Sequence, residues 1–123
     1  MPIVTIDNFP VAPGDTIRMS VWAFTPSSGQ IQIENLTKNK NYQLQFSGET
    51  DLLCFESAEW IVEDFSIGSD LAPFANFTTI TFTDTYSNKG GLQSADTWDI
   101  SNNAGTLTKC LIHGIDSVTC KFV

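Results

Sequence analysis

The chain has 123 residues, 41% hydrophobic and 16% charged, a length and balance that fit one domain with a core of its own. Fourteen Asp and Glu against six Lys and Arg give a net charge of −8, which disfavours nucleic acid and anionic membrane as partners, since both need clustered cations. No run approaches the roughly 20 apolar residues of a membrane-spanning helix. Residues 1–7 have neither the basic nor the apolar region of a signal peptide, so the start reads as a mature form given an initiator Met or as a protein that stays inside the cell. The acidic balance suits work in acid, where carboxylates neutralise; its plain alternative is solubility.

In chain order, Ile17, Met19, Val21 and Ala23 alternate with Arg18, Ser20, Trp22 and Phe24. Ile31 and Ile33 alternate with Gln30, Gln32 and Glu34, and Tyr42, Leu44 and Phe46 with Gln43 and Gln45. Glu59, Ile61, Glu63 and Phe65 share one face of a further predicted strand, with Trp60, Val62 and Asp64 on the other. Ile80 and Phe82 sit among Thr79, Thr81 and Thr83. This period of two predicts half-buried strands. Turn residues separate them at short intervals, from Pro13-Gly14-Asp15 to Asn102-Asn103-Ala104-Gly105. The expected class is all-β, an antiparallel β-sandwich or barrel with little helix. The loop from Tyr86 to Ala95 reads as the most mobile.

Near the end, a hairpin centred on Ile115 sets Cys110 opposite Cys120. Cross-strand Cβ atoms lie roughly 4.5–5.5 Å apart, near bonding geometry, so the pair is expected to form a disulfide; the alternative is two small buried thiols. Cys54 is left over, free or paired outside the chain. Asn35-Leu36-Thr37 and Asn76-Phe77-Thr78 are sequons, glycan acceptors in a secreted protein and otherwise chance matches.

No spacing of His or Cys suits a metal, and no cofactor motif is present. The single histidine, His113, sits beside a predicted turn and reads as solvated. Carboxylates remain. Glu59 and Glu63 would lie roughly 13 Å apart along a strand at about 3.3 Å per residue. Two groups at that distance cannot share a proton, so a catalytic glutamate here needs a partner from elsewhere. Without one, both are sheet-face residues. Trp22, Tyr86 and Trp98 could stack on a ligand beside Glu59, a sugar ring among the candidates; core or edge packing is the alternative for each.

The run Ala58-Glu59-Trp60-Ile61-Val62-Glu63-Asp64-Phe65 resembles the segment that carries the catalytic glutamate of the fungal glutamic peptidases, the eqolisins. The similarity begins near Asp15-Thr16-Ile17-Arg18-Met19-Ser20-Val21. It continues through Ile33-Glu34-Asn35-Leu36-Thr37, Phe46-Ser47-Gly48 and Phe74-Ala75-Asn76-Phe77, and reaches Ser117-Val118-Thr119 in the final hairpin. The resemblance implies a sandwich of two large antiparallel sheets like the concanavalin-type jelly roll, here one domain over residues 1–123. It implies secretion and proteolysis in acid. Glu63 matches the general base that activates water, a role suited to a carboxylate working near its pKa. A glutamine amide shares the work by steadying the tetrahedral intermediate. That glutamine lies in a family stretch preceding the region where this chain starts, and Gln30, Gln32, Gln43, Gln45 and Gln93 do not match it.

Two expectations follow. The first is a non-catalytic binding or interaction module on the peptidase fold, with a protein or peptide ligand ahead of carbohydrate. The second is an acid-acting endopeptidase component that works when the rest of the family's length is supplied. A sandwich short of strands exposes edges and core, so self-association, as in a dimer that completes the sandwich, or pairing with a complementary chain is expected in both. The family resemblance implies an extracellular protein.

Overall fold

Alternation of apolar and polar residues runs through residues 30–34 and 42–46. The computed structural model describes residues 5–63, 66–67, 70–71 and 74–123. These residues are all-β, with antiparallel pairing throughout and no helix among them. The chain gathers into two compact units, Met1–Ser57 and Ala58–Val123.

In the first unit, β1 (Ile17–Thr25), β2 (Ser28–Asn35) and β3 (Lys40–Phe46) form one three-stranded sheet in that order. Met19 faces Ile33, which faces Tyr42; Val21 faces Ile31, which faces Leu44. One sheet face is therefore apolar, and the opposite face carries Trp22, Gln30 and Gln45 in one row and Ser20, Gln32 and Gln43 in the next. The β1–β2 register slips between Ala23 and Thr25, just before the Pro26-Ser27 turn. Such a bulge re-aims the strand end. The β2–β3 turn falls on residues 36–39, slightly ahead of the Asn39-Lys40-Asn41 cluster, with Asn39 in the left-handed region at φ 50°.

Asn35 closes this sheet. Its side chain is fully buried. Its Nδ2 donates to the Pro10 carbonyl at 3.0 Å and to Asp15 Oδ2 at 2.8 Å, while its Oδ1 accepts from the Lys38 amide at 3.0 Å. Asp15 Oδ2 also accepts from the Ala12 amide at 2.8 Å and from Lys38 Nζ. The expectation of a glycan at Asn35 is thereby corrected: the amide that would carry it is shut inside the fold and committed to two acceptors.

The second unit is built on the sheet β6–β10–β9, from Thr79–Phe82 (β6), Thr108–His113 (β9) and Ser117–Phe122 (β10). Two short hairpins accompany it: Ser66–Ile67 (β4) with Asp70–Leu71 (β5), and Ser101–Asn102 (β7) with Gly105–Thr106 (β8). The β9–β10 turn is Gly114-Ile115-Asp116, where Gly114 takes φ 65°, a value that costs glycine nothing. One face of this sheet packs Cys110, Val118 and Cys120 into a buried cluster with Leu92, and Trp60, Phe82 and Ile112 pack against it.

The Tyr86–Ala95 loop, expected to be the most mobile, is tied down at several points. Ser87 and Gly90 bridge each other, the Leu92 amide donates to the Ile115 carbonyl at 2.6 Å, and Leu92 is buried in the core. Gly91 runs so close to the Ile115 carbonyl that a Cβ there would collide with it. Turn residues predicted a loop, and one leucine in the middle of it supplies the anchor.

Candidate functional site

The segment from Ala58 to Glu63 was expected to be a ladder strand. Among the described residues it pairs with no other strand, while Asp64 and Phe65 lie outside them. The alternation survives without the ladder. Trp60 and Val62 are half-buried, and Glu59, Ile61 and Glu63 are exposed. Trp60 is the anchor, because it packs on the cluster that contains Cys110 and Cys120. A large ring held in a core fixes the direction of its neighbours, and the period of two then turns Glu59 and Glu63 outward together.

Beneath Trp60, Cys110 and Cys120 stand opposite each other in the β9–β10 register and are joined as a disulfide, with Cα atoms 4.1 Å apart. Cys54 is an exposed free thiol in the first unit. The Cys110 amide donates to Asp99 Oδ1 at 2.7 Å, and Asp99 Oδ2 meets Lys109 Nζ at 3.1 Å. Burial pushes the Asp99 carboxyl up, but Lys109 and the Cys110 amide outweigh it and hold it below the usual carboxylate value. Thr108, fully buried, accepts the Ile100 amide on its Oγ1 at 2.8 Å. The sheet under the Trp60 anchor is thus fastened by a covalent bond and by charge-assisted hydrogen bonds.

None of the described hydrogen bonds or ion pairs includes Glu63. A base used for water activation needs a group to steady the oxyanion that forms. Gln30 and Gln45 bond to each other across β2 and β3, with Gln45 Nε2 donating to Gln30 Oε1 at 3.0 Å. Gln32 and Gln43 face each other in the next row of the same sheet. Gln93 is exposed beside Leu92.

The candidate binding residues fall in both units. Trp22 lies in the first unit on β1, at 42% exposure, next to the Gln30–Gln45 pair. Glu59, Tyr86 and Trp98 are exposed in the second unit. Trp98 is 88% exposed, too open to serve as a core residue. The described aromatic pairs join Phe74, Phe77 and Phe122 and include none of these side chains. A shallow depression in the first unit is lined by Phe24, Ser28, Gln45 and Phe46 and contains no carboxylate. His113 is exposed at the end of β9. Among the described residues no cluster of His, Cys, Asp or Glu could hold a metal.

Two structural residues escaped the sequence reading. Asp15 read as a turn residue, and Asn35 as a sequon. Their partnership spans twenty positions, and no local pattern marks it.

The model of the Peptidase A4 family matches residues 1–122. Among curated proteins the chain is similar to aspergillopepsin-2 of Aspergillus niger, 39% identical over 92% of this chain and 42% of that protein. It is also similar to scytalidopepsin B of Scytalidium lignicola, 36% identical over 92% of this chain and 48% of that protein. Among solved structures, the crystal structure of aspergilloglutamic peptidase from Aspergillus niger matches with a TM-score of 0.88 and 37% identity, covering 96% of this chain and 72% of that one. The chain therefore spans less than half the length of these curated relatives, and its fold is the antiparallel β-sandwich of the eqolisins. On the family match and these identities together, the chain belongs to the Peptidase A4 family, the glutamic peptidases.

Proposed function

We propose that this chain, on its own, is a non-catalytic binding or interaction module on the glutamic-peptidase fold, extracellular as its family suggests. The observation that carries the reading is the isolation of Glu63: it faces outward, and no described hydrogen bond brings an amide or a cation to it. A general base without an oxyanion donor forfeits roughly a hundred- to a thousandfold in rate. A protein or peptide segment is the favoured ligand, with Glu59 and exposed aromatic side chains as the contact groups and carbohydrate behind it.

A second reading is favoured by the Trp60 anchor, which holds Glu59 and Glu63 outward on a stretch that keeps the family's sequence. In that reading the chain is an acid-acting endopeptidase component with Glu63 as general base. It becomes competent when a complementary chain supplies the remaining length of the family. The apolar face of β1–β2–β3 supports such a partner, because Met19 and Val21 are 61% and 69% exposed. Apolar sheet faces left open invite association. A second copy of this chain is the other occupant; light scattering that finds the pure chain monomeric would remove it, and a monomer in the presence of the complementary chain would remove both.

Incubation with denatured protein across the acid range, beside Glu63→Gln and with a second chain that supplies the remaining length of the family, separates the readings. The module predicts no cleavage by either protein. Cleavage that disappears in Glu63→Gln overturns it in favour of the peptidase.

A further inference from the structure

The two sequons have the same form, Asn–hydrophobic–Thr, and the fold treats them in opposite ways. At Asn35 the amide is fully buried and donates to Pro10 and Asp15, and the sequon threonine is committed too: Thr37 Oγ1 accepts the Thr16 amide at 2.9 Å. At Asn76 both polar residues are exposed. Asn76 Oδ1 accepts the Thr78 amide at 3.1 Å, and no described hydrogen bond uses Asn76 Nδ2. Between them Phe77 turns inward, its ring 5.7 Å from Phe74 and 6.4 Å from Phe122. The Phe122 amide donates to the Thr78 carbonyl at 3.0 Å. The aromatic cluster thus pins the middle of the tripeptide and presents its amide and hydroxyl to solvent.

We infer that Asn76, and not Asn35, is an N-glycan acceptor when this chain passes through a secretory route. The donor class is an oligosaccharide activated as a lipid-linked pyrophosphate. Asn76 Nδ2 bonds to the anomeric carbon, the sugar–phosphate bond breaks, the pyrophosphate leaves with its electron pair, and the nitrogen loses one proton. The same transfer at Asn35, made on the unfolded chain, would leave a glycan where the fold has no space for one and would remove a donor from the Asp15 cluster. Folded secreted molecules therefore carry sugar at position 76 alone. This inference is independent of whether the chain binds or cleaves its ligand.

The test is secretion of the full chain from a yeast as wild type, Asn76→Gln, Thr78→Ala and Thr78→Ser. Enzymatic glycan release, intact mass and peptide mapping then follow. The expected result is one glycan per wild-type chain, mapped to position 76, absent from Asn76→Gln and Thr78→Ala and retained by Thr78→Ser. The unfolding midpoint of secreted Asn76→Gln should match that of the enzymatically deglycosylated wild type. A wild-type chain secreted without sugar at position 76, or folded soluble protein with sugar at Asn35, would overturn the inference.

Discussion

The sheet β1–β2–β3 and the sheet β6–β10–β9 have the same strand count and antiparallel pairing, yet different chemistry fastens each. The first is closed by a buried amide, Asn35, wired to the carboxylate of Asp15 and the ammonium of Lys38. The second is closed by the Cys110–Cys120 bond and a small apolar cluster around it. Hydrogen-bonded charge depends on protonation, and a covalent bond depends on reductant. The run from Ala58 to Glu63, with its outward glutamates, rests on the second sheet through Trp60.

The largest expected effect comes from removing the covalent fastener. Replacing Cys110 and Cys120 with Ala opens a loop across a sequence separation of 10. It should lower unfolding free energy by about 3 kcal/mol. Denaturant melts should show that loss at neutral and at acid pH alike. A loss confined to acid would erase the contrast between the sheets.

Next is Asn35→Ala, which strips the Pro10 carbonyl and the Lys38 amide of partners and leaves the Asp15 carboxylate short of one donor. Buried groups left unpaired cost about 2 kcal/mol. Thermal melts with and without reductant should show the same decrement. A decrement present only in the reduced protein would mean that the two sheets share one lock.

Smaller is the acid response of the first sheet. The hydrogen bond from Lys38, then that from Asn35, lowers the Asp15 carboxyl below its ordinary 3.8 in spite of burial. A depressed folded value stabilises the fold above the unfolded value, and that stability is lost as pH falls through the folded one. Wild type should therefore lose stability below 3.8, and Asp15→Asn should show a flatter profile there from a lower plateau. Parallel profiles from melts at stepped pH would show that Asp15 is not the sensor. Asp99 is displaced in the same direction, but the strand beside it is held by the disulfide as well.

The smallest effect is expected at Thr85, buried at 1% exposure with no partner for its Oγ1 among the described residues. Thr85→Val removes an unsatisfied hydroxyl at nearly constant shape. Stability should be unchanged or raised by up to about 1 kcal/mol. A clear loss in chemical denaturation would reveal a hidden role for that oxygen.

The strands and the disulfide pair were legible because their cause is local. Alternation in Tyr42–Phe46 states which face is the more buried, that in Ile17–Phe24 marks a strand whose apolar Met19 and Val21 stay exposed, and the symmetry of Cys110 and Cys120 about Ile115 states the register. Asn35 was not legible as a structural centre, because its partners Pro10 and Asp15 lie 25 and 20 residues away. The alternation of residues 59–63 was legible as a pattern of burial but not as an unpaired one. Pairing depends on what lies alongside, and a strand's own sequence does not record that. Leu92 was hidden within turn residues, and its burial turned an expected mobile loop into a fixed one.

If two chemistries fasten the two sheets, hydrogen exchange along the whole chain will separate them. It should be measured at neutral pH, below 3.8, and at neutral pH with a disulfide reductant, and corrected for intrinsic rates. Acid should release amides of β1, β2 and β3 first while β9 and β10 stay protected, and reductant should reverse the order. Loss of protection in both sheets together, under either condition, would contradict it.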